Sequence, residues 1–272
     1  MSTGSGLGGK EYPTGYCPPA DLLKNRVILI TGAGGGIGGA VAKACAAHGA
    51  STVLLGKTVT RLERTYDEIE AQGHPCPALY PLDLEKAFER DFEALAQTIG
   101  TAFGRLDAVV HNAAVLGELC PLMHYDLRIW GRVMQVNLHA PLLLTRACLS
   151  LLKEAEDASI VFTSDTVGHR ARAYWGAYAV SKFALEGMMQ VFADELEHNT
   201  RVRVNSIDPG PVRTRLRAAA YPAQDPSAWT EPEDVVLPYL FLLGPDSQHI
   251  SGCALSAQPA LEARAPAKRR GH

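Results

Sequence analysis

The 272-residue sequence has no run of 18 apolar residues, so no membrane-spanning helix is expected. Its first 26 residues lack the charged start and apolar stretch of a secretory signal. No CxxC pair occurs. The six cysteines, Cys17, Cys45, Cys76, Cys120, Cys148 and Cys253, lie far apart and read as free thiols of a cytoplasmic protein, with neither disulfides nor a metal site. An excess of either charge is missing as well. Lys and Arg number 26, Asp and Glu 29, for a net charge of −3. Such a balance sets up no strong field to hold nucleic acid or an anionic membrane. Internal repeats are absent too.

What is present is ordinary for a globular enzyme-sized domain. Hydrophobic residues make up 47% and charged residues 20%, enough apolar mass for a sizeable core. The Gly- and Ser-rich stretch Met1–Gly15 predicts a flexible start, and residues 1–23 are expected to form a tail. A single domain is expected over 24–257, followed by a tail over 258–272. The Lys268-Arg269-Arg270 cluster in that second tail is too short for a nucleic-acid arm and reads as a solvated terminus.

Between the tails, short β-branched apolar runs alternate with helical patterns. The runs are Arg26–Thr31, Ser51–Gly56, Ala78–Leu82, Leu106–His111, Ser159–Ser164, Val202–Ile207 and, last, Cys253–Ser256. They are apolar on both faces, as strands covered by helices on each side must be. The segments between them are long enough for crossover helices. The pattern predicts an α/β fold with a doubly wound parallel sheet.

The first run leads into Thr31-Gly32-Ala33-Gly34-Gly35-Gly36-Ile37-Gly38, and an Ala-rich helix follows. A glycine turn between a first strand and a helix is the signature of a dinucleotide site. Gly32 permits the tight turn, Gly36 lets the backbone approach a phosphate, and Gly38 permits close helix packing. The helix N-terminus offers unpaired N–H groups to the pyrophosphate. The second run ends Leu55-Gly56-Lys57. An NAD site places an acid at this point to bind the ribose hydroxyls. Here no carboxylate repels a 2′-phosphate and Lys57 can pair with it, so NADP(H) is expected over NAD(H). Arg61 either assists that phosphate or faces water.

At this point the chain resembles the short-chain dehydrogenase/reductase family. Thr31 to Gly38 resembles its TGxxxGxG motif, and His111-Asn112-Ala113-Ala114 its NNAG stretch, with His111 and Ala114 as departures. Asn137 matches the family's helix asparagine, Tyr178-Ala179-Val180-Ser181-Lys182 its YxxxK, and Pro209 to Thr214 its PGxxxT. These motifs occur in family order over about residues 24–257. More narrowly, Trp175–Gln190 and the ending Ser256-Ala257-Gln258-Pro259 resemble the YciK-type subgroup. The resemblance implies a cofactor set of Gly32, Gly34, Gly36, Ile37, Gly38, Lys57, Asp83, Leu84, Asn112, Ala113, Tyr178, Lys182, Pro209, Gly210, Val212 and Thr214. Asp83 would lie near the adenine, and Val212 and Thr214 near the nicotinamide carboxamide.

Tyr178 and Lys182 stand four apart and share one helix face. A phenol titrates near ~10 and is a poor acid or base at neutral pH. A nearby ammonium is expected to lower that value, so that Tyr178 donates a proton to a carbonyl oxygen. The resemblance implies that Lys182 also binds the nicotinamide ribose and that Asn137 helps a water relay protons. The family's serine lies thirteen residues before the tyrosine, and here that position is Asp165, flanked by Ser164 and Thr166. An ionised Asp165 cannot donate to the substrate oxygen and repels its developing charge, a loss of about 10²–10³ in rate. Three readings stay open. Asp165 is protonated and donates, or Ser164 or Thr166 takes over, or the chain is a catalytically weak NADP(H)-binding sensor or scaffold.

Substrate loops are expected after the fourth, fifth and sixth strands. They contain His169, Arg170, Arg172, Tyr174 and Trp175, which suit an anionic or aromatic carbonyl or alcohol substrate, or else form a solvated basic loop. Arg215–Trp229 is expected to form a mobile lid. The helix after Tyr178 carries Phe183, Leu185, Met188, Met189, Val191 and Phe192, more apolar surface than one sheet contact needs. The resemblance implies a homodimer or homotetramer built on it.

Overall fold

The computed structural model describes residues 10–13 and 15–258. In chain order the elements are β1 (Lys10–Glu11), β2 (Val27–Thr31), α1 (Gly36–Ala47), β3 (Ser51–Gly56), α2 (Val59–Glu70), β4 (Ala78–Pro81), α3 (Glu89–Phe103) and β5 (Ala108–His111). Then follow α4 (Leu127–Met134), a π turn (Gln135–His139), α5 (Ala140–Glu154), β6 (Ala158–Thr163), α6 (Gly176–Glu197), β7 (Val202–Asp208), α7 (Arg215–Ala220), α8 (Leu237–Leu243) and β8 (Ala254–Ser256). All seven expected strands are present, with ends displaced by no more than two residues.

The strands form one parallel sheet in the order β1-β8-β7-β6-β5-β2-β3-β4. From β2 the chain winds outward through β3 and β4, then crosses back to pair β5 with the other edge of β2, Ile28 opposite Ala108. The winding sense therefore reverses between β2 and β5. In such sheets the crevice at the carboxyl ends of the strands beside the reversal is where ligands bind.

Period-two alternation sends neighbouring residues of each strand to opposite faces. In β2, Val27 and Leu29 join the core beneath α3, α5 and α6, with Phe92, Leu144 and Leu185. Ile28 and Ile30 join the core beneath α1, α2 and α8, with Val41, Leu62 and Tyr239. Both faces are thus covered, which is why the strands read as unbroken apolar runs. At the amino ends of the strands, Asp157 joins Arg26 (2.6 Å) and Arg203 (3.1 Å), all three nearly buried.

The expected tail over residues 1–23 is corrected in its described part. Lys10–Glu11 adds a strand parallel to β8. The Tyr16 ring packs edge-on to Phe241, and its hydroxyl donates to Asp246 Oδ2 at 2.8 Å. Leu22 and Leu23 are buried against the second core. The apolar residues Tyr16, Leu22 and Leu23 outweigh the glycine-rich composition ahead of them. Of the expected tail 258–272, only Gln258 lies within the described residues, and it is anchored. Its Nε2 donates to Pro209 O at 2.8 Å and its Oε1 accepts from Thr230 Oγ1 at 2.9 Å. Residues 1–9 and 259–272, with the Lys268–Arg270 cluster, lie outside the described residues.

Candidate active site

A cleft of about 690 Å³ opens at the carboxyl ends of the strands. One side is the glycine turn between β2 and α1. Gly32, Gly35 and Gly36 have positive φ of 69°, 137° and 55°, a backbone region that side chains disfavour. Gly38 is required by space. A Cβ there would lie 2.5 Å from Gly32 O and 2.5 Å from Asn112 Nδ2. Thr31 fixes the neighbouring loop, its Oγ1 accepting from Asn112 N (2.9 Å) and Ala113 N (3.0 Å). The first turn of α1 carries no acidic residue, and Gly34, Gly35, Gly36 and Ile37 line the cleft. Free helix N–H groups with no competing carboxylate suit a pyrophosphate.

Further along the cleft lie Gly56, Lys57 and Arg61 on one wall and Asp83 and Leu84 on another. Lys57 and Arg61 are exposed, and Asp83 Oδ1 accepts from Glu85 N at 3.2 Å. No carboxylate stands at the end of β3, so the residues present fit a dinucleotide bearing a 2′-phosphate. The departure at His111 is structural. Its ring is buried, stacks on Phe162 at 4.8 Å and bonds Thr145 Oγ1 through Nε2 at 2.8 Å. Burial pushes its pKa down to about 3, so it is neutral.

Tyr178 and Lys182 lie one turn apart on α6, and both are buried. Lys182 Nζ is 5.6 Å from the centre of the Tyr178 ring and donates to Thr163 O at 2.6 Å. Gly168 allows this approach, because a Cβ there would meet Lys182 Cβ at 2.9 Å. Asp165 reaches the tyrosine directly, with Oδ2 accepting from the Tyr178 hydroxyl at 3.1 Å and Oδ1 accepting from Val167 N at 3.0 Å. Thr166 Oγ1 is turned to Asp208 Oδ2 at 2.8 Å. Ser164 Oγ is buried, with no partner among the described residues.

The expectation that the ammonium makes the phenol more acidic is overturned. Burial, then the charge and hydrogen bond of Asp165, then the charge of Asp208 hold the Tyr178 pKa well above its ordinary value, against a smaller opposing pull from Arg217. Burial meanwhile lowers the Lys182 pKa to about 8. Two carboxylates at the tyrosine and a desolvated lysine explain the reversal, and neither burial nor Asp208 was visible in the YxxxK spacing.

Asn137 lies in the π turn between α4 and α5, buried. Its Oδ1 accepts from Val115 N (2.9 Å), and its Nδ2 donates to Val115 O (3.0 Å) and Ser181 Oγ (3.0 Å). The side chain therefore ties the loop after β5 to α6, one residue from Lys182. Pro209, Gly210, Val212 and Thr214 line the far wall. Gly210, at φ 69°, donates its N–H to Asp208 Oδ1 at 2.9 Å. Thr214 caps α7, its Oγ1 accepting from Arg217 N at 3.2 Å.

On the substrate side the expected residues divide. Trp175 packs on Tyr178 at 5.7 Å. His169 faces Glu186 instead, at 3.4 Å, Arg172 donates to the Tyr221 hydroxyl at 2.8 Å, and Arg170 and Tyr174 are exposed. The expected lid begins as helix α7, which brings Arg217 to the cleft. Asp208, Arg217 and Tyr221 were not singled out from sequence. The Arg217/Tyr221 spacing of four was the available signal, since it puts a guanidinium over a ring on one helical turn.

The family model described as short chain dehydrogenase matches residues 26–225. The chain belongs to the short-chain dehydrogenase family. This short-chain dehydrogenase is 45% identical over 244 residues to "Uncharacterized oxidoreductase YciK" of Escherichia coli (strain K12), covering 90% of this chain and 96% of that one. It is 51% identical to a short chain dehydrogenase structure from Pseudomonas syringae, with a TM-score of 0.89 and coverage of 92% and 100%. A Shigella flexneri short chain dehydrogenase complexed with NADP is 45% identical, with a TM-score of 0.86 and coverage of 89% and 100%. Among the described residues of this dehydrogenase no helix is long and apolar enough to cross a membrane.

Proposed function

We propose that the protein is an NADP(H)-dependent oxidoreductase that reduces a carbonyl group, or oxidises an alcohol, on a small-molecule substrate. The observation that carries the reading is the buried Tyr178, beside Lys182 in the cleft that the glycine turn also lines. When bound, the nicotinamide ring supplies or accepts hydride. Tyr178 holds the matching proton. Its raised pKa keeps that proton in place through the neutral range, which favours the acid's role in carbonyl reduction. Lys182 is positioned by Thr163 O to offer its remaining N–H groups toward the cofactor ribose. Asn137 acts as a positioning residue through Ser181 and the loop after β5.

The cofactor preference rests on Gly56 and Lys57, where an acid would favour NAD(H). NADP in the Shigella flexneri relative supports it. A homodimer or homotetramer is supported by Val180, Phe183 and Val191, exposed along one stripe of α6 while Leu185, Met189 and Phe192 serve the core. Free cysteines fit a cytoplasmic setting.

The test follows NADPH absorbance over a panel of aldehydes and ketones. Tyr178→Phe should lower turnover by about 10²-fold or more. Unchanged turnover would remove Tyr178 as the acid. A second reading, a dinucleotide sensor with little catalysis, is favoured by the Asp165 carboxylate on the Tyr178 hydroxyl. It requires saturable NADPH binding with no turnover anywhere on the panel.

A further inference from the structure

Resting on the oxidoreductase reading, we infer that Arg217 is an anion clamp in the substrate pocket, and that the substrate carries an oxyanion, in the first instance a carboxylate, beside a flat apolar body bearing the carbonyl. The arrangement starts at Thr214, which caps α7 and sets Arg217 one turn in. The guanidinium lies over the Tyr221 ring, 3.9 Å from its centre, with Trp229 at 5.7 Å. Stacking spends the face of a guanidinium and leaves its N–H edge for planar, bidentate recognition.

That edge is poorly used by the protein. Among the described residues, Nη2 makes one long bond, to Gln224 Oε1 at 3.3 Å, and Nε is buried without a partner. Among the described residues no carboxylate pairs with Arg217. The contrast is Arg213, which lines the same cleft but is held by Glu231 at 2.6 Å. A guanidinium at the cleft wall, without a carboxylate partner among the described residues, is the complement of an incoming anion.

The rings give the direction. From Arg217 the contacts run to Tyr221, from Tyr221 to Trp175 at 5.7 Å, and from Trp175 to Tyr178 at 5.7 Å. Arg172 fixes the Tyr221 end through its hydroxyl. A planar substrate laid along these rings places one end at the Tyr178 hydroxyl and the other at Arg217. The clamp also answers the local field. Asp165 and Asp208 both act on Tyr178, and Arg217 is the group that opposes them there.

The test compares near-isosteric aldehydes on the whole protein with NADPH: 4-carboxybenzaldehyde, 4-formylphenyl phosphate and neutral 4-methylbenzaldehyde. The wild-type protein should favour an anionic aldehyde in kcat/KM by about tenfold or more, the scale of a charge-assisted pair. The leading anion tells carboxylate from phosphate. Arg217→Met should collapse the anionic-to-neutral ratio at least tenfold, and Arg217→Lys should restore part of it. The inference is overturned if the ratio is unchanged in Arg217→Met, or if NADPH affinity falls by the same factor, which would assign Arg217 to the cofactor. A second readout needs no turnover: tryptophan emission of the NADP-loaded protein, titrated with benzoate against benzamide. Benzoate binding lost in Arg217→Met, with no aldehyde reduced, would keep the clamp and sink the oxidoreductase reading. Aldehyde reduction with no discrimination between benzoate and benzamide would sink the clamp alone.

Discussion

Asp165 changes what the Tyr178 hydroxyl can do. A carboxylate that accepts a hydrogen bond from the phenol stabilises the protonated form, and its charge opposes the phenolate. Removing it therefore lowers the Tyr178 pKa. Asp165→Ser should speed carbonyl reduction by roughly 10–10³-fold, because a hydroxyl can donate to the substrate oxygen where the carboxylate cannot. Alcohol oxidation needs the phenolate as base, so its rising pH limb should move to lower pH in the same variant. Matched pH–rate profiles in both directions check the two effects, and a limb that stays put would detach Asp165 from the tyrosine. The position of Asp165 was legible by counting back from Tyr178, and so was the Tyr178/Lys182 pair. Their protonation was not. It depends on burial and on Asp208, which is distant in sequence and reaches the site only because β7 lies beside β6. Of the three readings left open at Asp165, the fate of Thr166 is clear from its bond to Asp208. Arg217 escaped notice because its spacing to Tyr221 is a faint signal, and the absence of an acid partner for it among the described residues is a tertiary fact.

The elements were the most readable part of the chain, because the central strands are buried on both faces and so announce themselves by composition. The glycine turn was readable for a related reason. Positive φ at Gly32, Gly35 and Gly36 and the tight gap at Gly38 leave no other residue type comfortable. Gly38→Ala should destabilise the domain by about 1–3 kcal/mol, the usual range for overpacking. It should also weaken dinucleotide binding, since the intruding methyl pushes α1 away from Gly32 O. Denaturant melts paired with NADPH titration measure both, and a wild-type response in each would show that the gap relaxes freely. The π turn holding Asn137 was not readable. One extra residue per turn leaves the apolar spacing on either side nearly intact, and such turns gather at functional sites. The amino-terminal strand was also missed. Its two residues are set by pairing with β8, a contact formed across almost the whole chain.

Stability and function are divided between the two ends of the sheet. At the amino ends, Asp157 pairs with both Arg26 and Arg203 inside the protein. Asp157→Ala would leave two nearly buried arginines unpaired and should cost about 3–5 kcal/mol in chemical denaturation, with little direct effect on the distant cleft. At the carboxyl ends the glycine turn, the end of β3 and the substrate wall face a common cleft. A ligand that fills such a cleft binds the folded state alone, so it must raise the melting temperature. At a concentration about 100 times its Kd, NADP should add about 2.7 kcal/mol. For a domain of this size that corresponds to a shift of roughly 5–10 °C. NAD at the same concentration should shift the melt less, because it has no 2′-phosphate for Lys57 to meet. Lys57→Asp should reverse the order, since a carboxylate there repels the phosphate and accepts from the free ribose hydroxyls. Calorimetry on the whole protein with each nucleotide decides the matter, and equal shifts for the two in both proteins would show that the end of β3 does not select the cofactor.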